Sequence, residues 1–318
     1  MGTNVYAEQL VAAVKRGDVA VATIDKAVRR ILSLKFQMGL FDDPFVDEKQ
    51  AAQLVASSEH TGLAREVARQ SIVLLKNKDK LLPLKKDIRT LAVIGPNADN
   101  VYNMLGDYTA PQADGTVVTV LDGIRQKVSK ETRVLYAKGC AVRDSSRTGF
   151  KDAIETARNA DAVVMVMGGS SARDFSSEYE ETGAAKVTIN QISDMESGEG
   201  YDRATLHLMG RQLELLEEIS RLGKPVVLVL IKGRPLLMEG AIQEAEAIVD
   251  AWYPGMQGGN AVADVLFGDY NPAGRLTLSV PRSVCVKRKT GGVAVFYRPL
   301  RRASVDVAPI LLKENECD

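Results

Sequence analysis

Hydrophobic positions recur with two different periods along this chain, and the change from one to the other divides it. Over residues 7–38 the spacing is helical: Leu10, Val11 and Val14 recur, Gly17 and Asp18 break the run, and Ile24, Val28, Ile31 and Leu32 resume it. Thr23 is the expected cap of the second helix, and Gly39 suits the position just past its end. Residues 40–44 read as a linker. A pair of helices has no sheet to pack on, so this segment either belongs to a domain whose remainder is missing or docks on the later part of the chain. A further amphipathic helix is expected over 58–70, with Leu63, Val67 and Ala68 on its buried side.

From there strands alternate with helices. Strands are expected over 72–75, 90–94, 133–137, 162–167, 226–231, 247–251 and 276–280, and helices over 120–128, 150–159, 204–222 and 259–267. Several strands are unbroken runs rich in Val and Ile, which suits burial on both faces of a parallel sheet. The fold class is therefore α/β: a doubly wound, mostly parallel sheet sandwiched by helices, with right-handed crossovers. Ligands of such sheets sit beyond the carboxyl ends of the strands, which points to the loops starting near Gly95, Gly168 and Lys232.

Composition narrows the chemistry. With 318 residues, 45% of them hydrophobic, the chain has room for one large or two modest domains. A formal net charge of +0 argues against a dedicated nucleic-acid or membrane-surface binder. No apolar run reaches the roughly 20 residues that span a bilayer. Three scattered cysteines, Cys140, Cys285 and Cys317, and two histidines, His60 and His207, give neither a disulfide framework nor metal-ligand spacing, so no metal or cofactor is expected. The turn after strand 90–94 lacks the dinucleotide glycine spacing, and Pro96 removes a backbone donor where phosphate needs one. From Arg282 to Ala303 there are seven Lys or Arg and no acid, with weak periodicity.

The candidate chemistry lies in residues 194–206, an acidic loop ahead of the helical segment. Glu199 stands between Gly198 and Gly200, which remove the side chains that would keep a ligand away. Such a carboxyl suits the proton donor of glycosidic cleavage, a reaction that also needs a second carboxylate, which the sequence does not obviously supply. A plain helix-leading acidic loop is the competing reading. Arg203 either pairs with a carboxylate or orients Asp202, and Asp202 is placed to cap the following helix. Asp107 and Tyr108, in a Gly-Asp-Tyr-Thr turn, offer a hydrogen bond to a polyol and an aromatic face to a sugar, or a simple polar turn. The loop over 168–183 is long enough to be functional, though its Glu178, Glu180 and Glu181 also suit a solvated edge. Lys232 to Pro235 reads as a turn, and the single tryptophan, Trp252, as core.

Several runs, in this order, resemble glycoside hydrolase family 3, the β-glucosidases and related exo-acting glycosidases. They are Ile-Leu-Ser-Leu-Lys-Phe-Gln-Met-Gly-Leu-Phe-Asp-Asp-Pro at 31–44, Ser-Ile-Val-Leu-Leu-Lys-Asn at 71–77, Val-Ile-Gly-Pro-Asn-Ala at 93–98, Ala-Trp-Tyr-Pro-Gly at 251–255 and Ala-Gly-Arg-Leu-Thr-Leu-Ser-Val-Pro at 273–281. The resemblance covers residues 3 to 283 and stops abruptly after Ser283. It implies a (β/α) barrel joined to an α/β sandwich, with the active site at their junction. Residues 1–40 then correspond to the terminal helices of an incomplete barrel, 41–64 to a linker and lead-in helix, and 65–283 to the sandwich. Residues 284–318 are left as an unpatterned basic tail, either solvated or the product of a shifted frame. The family retains configuration: a barrel aspartate attacks the anomeric carbon and a sandwich glutamate donates the proton. The Glu-Gly-Tyr-Asp-Arg run at 199–203 is similar to the family's acid/base segment. This implies Glu199 as acid/base, Glu196 as runner-up because the loop varies in length, and Asp202 and Arg203 as positioning residues. No residue here is assigned as nucleophile. The expectation is a fragment of a β-glucosidase-like enzyme, with a β-linked oligosaccharide or glucoside as substrate, the missing barrel as partner, and export to the periplasm or beyond if an upstream signal exists. The alternative is a non-catalytic carbohydrate-binding or scaffold domain.

Overall fold

The computed structural model describes residues 5–172 and 194–280, with the backbone of 285–289 and 292–296. It divides into two compact units, one running to His60 and one starting at Thr61. The first holds α1 (Val5–Arg16), α2 (Val21–Gln37) and α3 (Glu48–Leu54). α2 starts earlier than Thr23 suggests: its N-cap is Ala20, whose carbonyl accepts the Thr23 N–H, so Thr23 lies inside the first turn rather than at the cap. Its far end matches the sequence. Gly39 adopts φ +68°, and the Gly39 and Leu40 N–H groups return to the Phe36 and Lys35 carbonyls. α3 was not legible from apolar spacing; Asp47 starts it, its carboxylate accepting from the Lys49 and Gln50 N–H groups at 2.9 and 3.1 Å.

The second unit is built on a six-stranded sheet. Its strands are β1 (Val73–Asn77), β2 (Thr90–Ile94), β3 (Arg133–Ala137), β4 (Ala162–Gly168), β5 (Val226–Ile231) and β6 (Ala247–Trp252). They lie in the order β1-β6-β5-β4-β2-β3, all parallel except β1, which runs antiparallel to β6. Every residue of β2, β4 and β5 is buried, as their unbroken apolar runs require. Alternation along β4 shows the two layers. Val164 and Val166 share a core with α4 (Ser58–Ser71), α6 (Val120–Lys127) and α10 (Gly258–Leu266). Val163, Met165 and Met167 share one with α7 (Phe150–Arg158), α8 (Gln212–Ser220) and α9 (Glu239–Glu244). A short α5 (Val101–Leu105) comes after β2. Each such buried aliphatic contributes about 1.5–3 kcal/mol. α6 and α10 approach closely: a Cβ on Gly259 would stand 1.9 Å from the Thr119 carbonyl oxygen, so no larger residue fits there.

The second unit departs from the sequence pattern at three places. The helix expected over 204–222 exists only as α8, from Gln212, because Gly210 takes a left-handed φ of +62° against the carbonyls of Asp144 and Val142 and ends any helix upstream. Residues 276–280 pair with no strand among the described residues. Their alternation is real, with Leu276, Leu278 and Val280 on the second core, but alternation reports a buried face and not a ladder partner. In α4, Ala68 is buried while Leu63 and Val67 are 63% and 60% exposed. The rotation of that helix is set instead by Arg65 and Arg69, one turn apart, which both reach Asp264. In the basic tail, where the sequence offers no element, β7 (Cys285–Lys289) pairs antiparallel with β8 (Gly292–Phe296).

Asp264, fully buried within α10, ties these elements together. Arg65 lies 2.6 Å from it, and Arg69 and Lys127 each lie 2.5 Å away. Burial works against the charge, but hydrogen bonds from Arg65, Lys127 and Arg69 outweigh it and hold the carboxyl at about 2. Because this lies below the unfolded value of ~3.9, the stabilisation is present above that value and is lost as pH falls towards 2. Asp264→Asn is expected to cost about 3–5 kcal/mol near neutrality. Urea unfolding should show the gap between wild type and variant narrowing by about 2 kcal/mol from pH 5 to pH 2. A gap independent of pH would remove this network as its cause.

Candidate active site

Strand order reverses between β2 and β4, and the loops that leave their carboxyl ends form the candidate site. A buried amide chain joins them. Asn97 Nδ2 donates to the Gly169 carbonyl at 3.1 Å, Asn103 Nδ2 donates to Asn97 Oδ1 at 2.7 Å, and Ser170 Oγ donates to Asn103 Oδ1 at 2.6 Å. Polar groups this deep require such pairing. Gln212, wholly buried at the start of α8, closes the other side: its Oε1 accepts from the Gly168 N–H and its Nε2 donates to the Gly168 carbonyl, each at 2.9 Å.

The acidic loop is pinned at its start. Asp194 Oδ1 accepts from the Val142 N–H at 3.0 Å, and the Glu196 N–H donates to the Ser170 carbonyl at 2.8 Å. Glu196 is buried, its side chain 1% exposed, and pairs with Arg203 Nη1 at 2.5 Å; the Arg203 side chain is 5% exposed. Arg234 Nε approaches the same oxygen at 3.8 Å. Glu196 Oε1 has no hydrogen-bond partner among the described residues. Arg203 also donates to the His207 carbonyl, and Arg234 to that of Tyr201 at 3.2 Å. One buried carboxylate thus gathers two arginines, which in turn hold the Tyr201 and His207 carbonyls at the two ends of residues 201–207.

Glu199 is exposed at the turn, between Gly198 at φ +107° and Gly200 at φ +82°, left-handed conformations that favour glycine. Tyr108 Oη lies 2.5 Å from Glu199 Oε2 and donates to it. Tyr108, 82% exposed, itself sits at φ +60°, with its N–H donating to Asp107 Oδ1 at 2.9 Å. The Asp107 N–H donates to Ser171 Oγ at 3.1 Å, and Asp107 Oδ2 lies 3.0 Å from where a Cβ on Gly198 would stand. Asp107, Tyr108 and Glu199 therefore meet, while Glu196 and Arg203 lie buried beneath. Asp202 is exposed and caps nothing, because α8 begins at Gln212 with Arg211 as its N-cap. Among the described residues no group of three His, Cys, Asp or Glu could hold a metal ion, and no helix is long and apolar enough to cross a membrane. Burial pushes the Cys140 thiol up to about 12, so it packs rather than reacts. Glu178, Glu180 and Glu181 lie outside the described residues.

Residues 72–302 match the glycosyl hydrolase family 3 C-terminal domain. The chain belongs to this family. It is 42% identical to a β-xylosidase of Formosa agariphila over 86% of this chain and 35% of that protein. It is 36% identical to the periplasmic β-glucosidase of Salmonella typhimurium, over 94% of this chain and 39% of that protein. A solved β-glucosidase from Listeria innocua, in complex with glucose, superposes with a TM-score of 0.72 at 28% identity, covering 91% of this chain and 37% of that one. The chain thus spans between a third and two fifths of the length of these relatives. The family match also passes Ser283, where the resemblance read from the sequence stops, and takes in both strands of the tail hairpin.

Sequence reasoning missed Ser170, Ser171 and Gln212, neutral groups whose roles depend on which loops meet. Replacing Glu196 by Ala leaves Arg203 buried without its counter-charge, at an expected cost of about 3–5 kcal/mol. Urea unfolding should show a lower midpoint at unchanged m-value; a loss below about 1 kcal/mol would mean that the pair is solvated.

Proposed function

We propose that this chain supplies the proton-donating carboxyl of a retaining, exo-acting β-glycosidase, and that Glu199 is that carboxyl. The supporting observation is the contrast between the two glutamates of one loop. Glu199 is exposed on a glycine-flanked turn, whereas Glu196 is buried against Arg203. In the first step the anomeric carbon–oxygen bond breaks, the carbon bonds to a nucleophilic carboxylate supplied from outside this chain, and the leaving oxygen takes the proton from Glu199. In the second, Glu199 takes a proton from the water that releases the sugar. Both steps need access to substrate and to water, which suits Glu199 and not Glu196.

The neighbours fit supporting roles. Tyr108 offers an exposed ring to the C–H face of a sugar and a phenol that orients Glu199. Asp107, half-buried beside Gly198, takes the proposed role of accepting from a sugar hydroxyl. Arg203, through Glu196, holds the loop in shape, and Asp202 stands on its outer side. The relatives are named β-xylosidases and β-glucosidases, so the proposed substrates are terminal β-linked xylosyl or glucosyl units.

In the complete enzyme, Glu199→Ala is expected to lower kcat/KM on an unactivated disaccharide by about 10²–10⁴, and far less on a nitrophenyl glycoside whose leaving group needs no proton. Equal losses on both substrates, or unchanged kinetics, would take the role away from Glu199.

A further inference from the structure

Beside the acid-bearing loop lies a charged pair that the proposed reaction does not use. Lys232, at the end of β5, is 1% exposed and Asp250, in β6, is wholly buried, with Nζ and Oδ2 2.6 Å apart. Burial raises the Asp250 carboxyl above its ordinary range, against the pull of Lys232 and of the Trp252 N–H. A buried ion pair of this kind is a weak source of stability, since desolvation offsets the attraction. Its position suggests another use.

The ladder between β5 and β6 slips here. Leu230 faces Asp250 and Ile231 faces Trp252, leaving Ala251 as the extra residue of a bulge. Trp252 is thereby forced to φ +56°, a left-handed conformation that a bulky residue adopts only when its surroundings hold it there. Four contacts do so. The Trp252 N–H donates to Asp250 Oδ1 at 3.3 Å, and the Lys232 ammonium stands 4.3 Å from the centre of the indole. The Lys232 N–H donates to the Trp252 carbonyl at 2.9 Å, and the indole N–H donates to the Ser71 carbonyl at 3.1 Å.

The corner sets the direction of the next residue. The Tyr253 ring passes over two glycines: a Cβ on Gly233 would stand 2.4 Å from it, and one on Gly106 3.2 Å. Its hydroxyl lies 3.1 Å from Ser197 Oγ, two residues before Glu199. We propose that the Lys232–Asp250 pair is a positioning device for the acid-bearing loop, acting through the Trp252 corner and the Tyr253–Ser197 hydrogen bond. Its importance for catalysis rests on the reading of Glu199 as proton donor. Its effect on the loop does not.

Hydrogen exchange and tryptophan emission of this chain separate the two. Trp252 is the only tryptophan, so emission reports on the indole beside Lys232 alone. Lys232→Met with Asp250→Asn removes both charges together, leaving no unpaired buried ion and keeping an acceptor for the Trp252 N–H. That double variant is expected to shift the emission and to speed exchange at Glu196 and Ser197 about tenfold, with β2 and β4 unchanged. Tyr253→Phe is expected to speed exchange at the same two amides while leaving the emission as in wild type. Shifted emission with wild-type loop exchange would overturn the proposal, as would exchange raised uniformly across the sheet. Neither readout uses activity, so a failure of Glu199 as the proton donor would not be mistaken for a failure here.

Discussion

Where β2 and β4 leave the sheet side by side, the helices that follow them pack on opposite faces, α6 on one and α8 on the other, and a crevice opens at the Gly169 carbonyl. Asn97, Asn103 and Ser170 fill that gap with a continuous hydrogen-bonded chain. It ties the loop after β2 to the chain ends of β4 and β5. The β2 loop must turn outward beyond α5, which brings Asp107 and Tyr108 to the rim. Past residue 194 the chain lies against Ser170, whose carbonyl takes the Glu196 and Ser197 N–H groups, with Glu196 buried and Glu199 exposed. A polar group buried without a partner costs about 1–3 kcal/mol, so this arrangement has little freedom to drift.

Charge is used differently at three depths. Around Asp264 several cations outweigh burial, and the network binds α4, α6 and α10 into one layer. Around Glu196 a single carboxylate is shared by Arg203 and Arg234, and the contact shapes a loop rather than a layer. At the rim Glu199 is exposed and accepts from the Tyr108 phenol. The third setting, open to solvent, is the one the proposed proton donor needs.

Where a strand is buried on both faces it was legible as an unbroken apolar run: the spans of β2 and β5 match those expected from the sequence. The glycines around Glu199 were legible because a left-handed turn leaves few alternatives. What the sequence hid was of another kind. No local pattern says that Gly210 would stop a helix that the apolar spacing of 204–222 favours, since the reason lies in the carbonyls of Val142 and Asp144 across a loop. Nor does the spacing of Arg65 and Arg69 announce that an aspartate about 200 positions away will choose the face of α4. Tyr253 and Ser197 are silent in sequence for the same reason, because their meeting depends on a bulge that exists only once β5 and β6 have paired.

We assign the proton transfer to Glu199 and not to its buried neighbour Glu196. Azide tests it most directly, because azide attacks a glycosyl–enzyme intermediate without needing a base. In the complete enzyme, Glu199→Ala turning over an activated glycoside in azide is expected to release the β-glycosyl azide at an accelerated rate, while Glu196→Gln under the same conditions releases only the free sugar. Azide product from the Glu196 variant, or none from the Glu199 variant, would contradict the account.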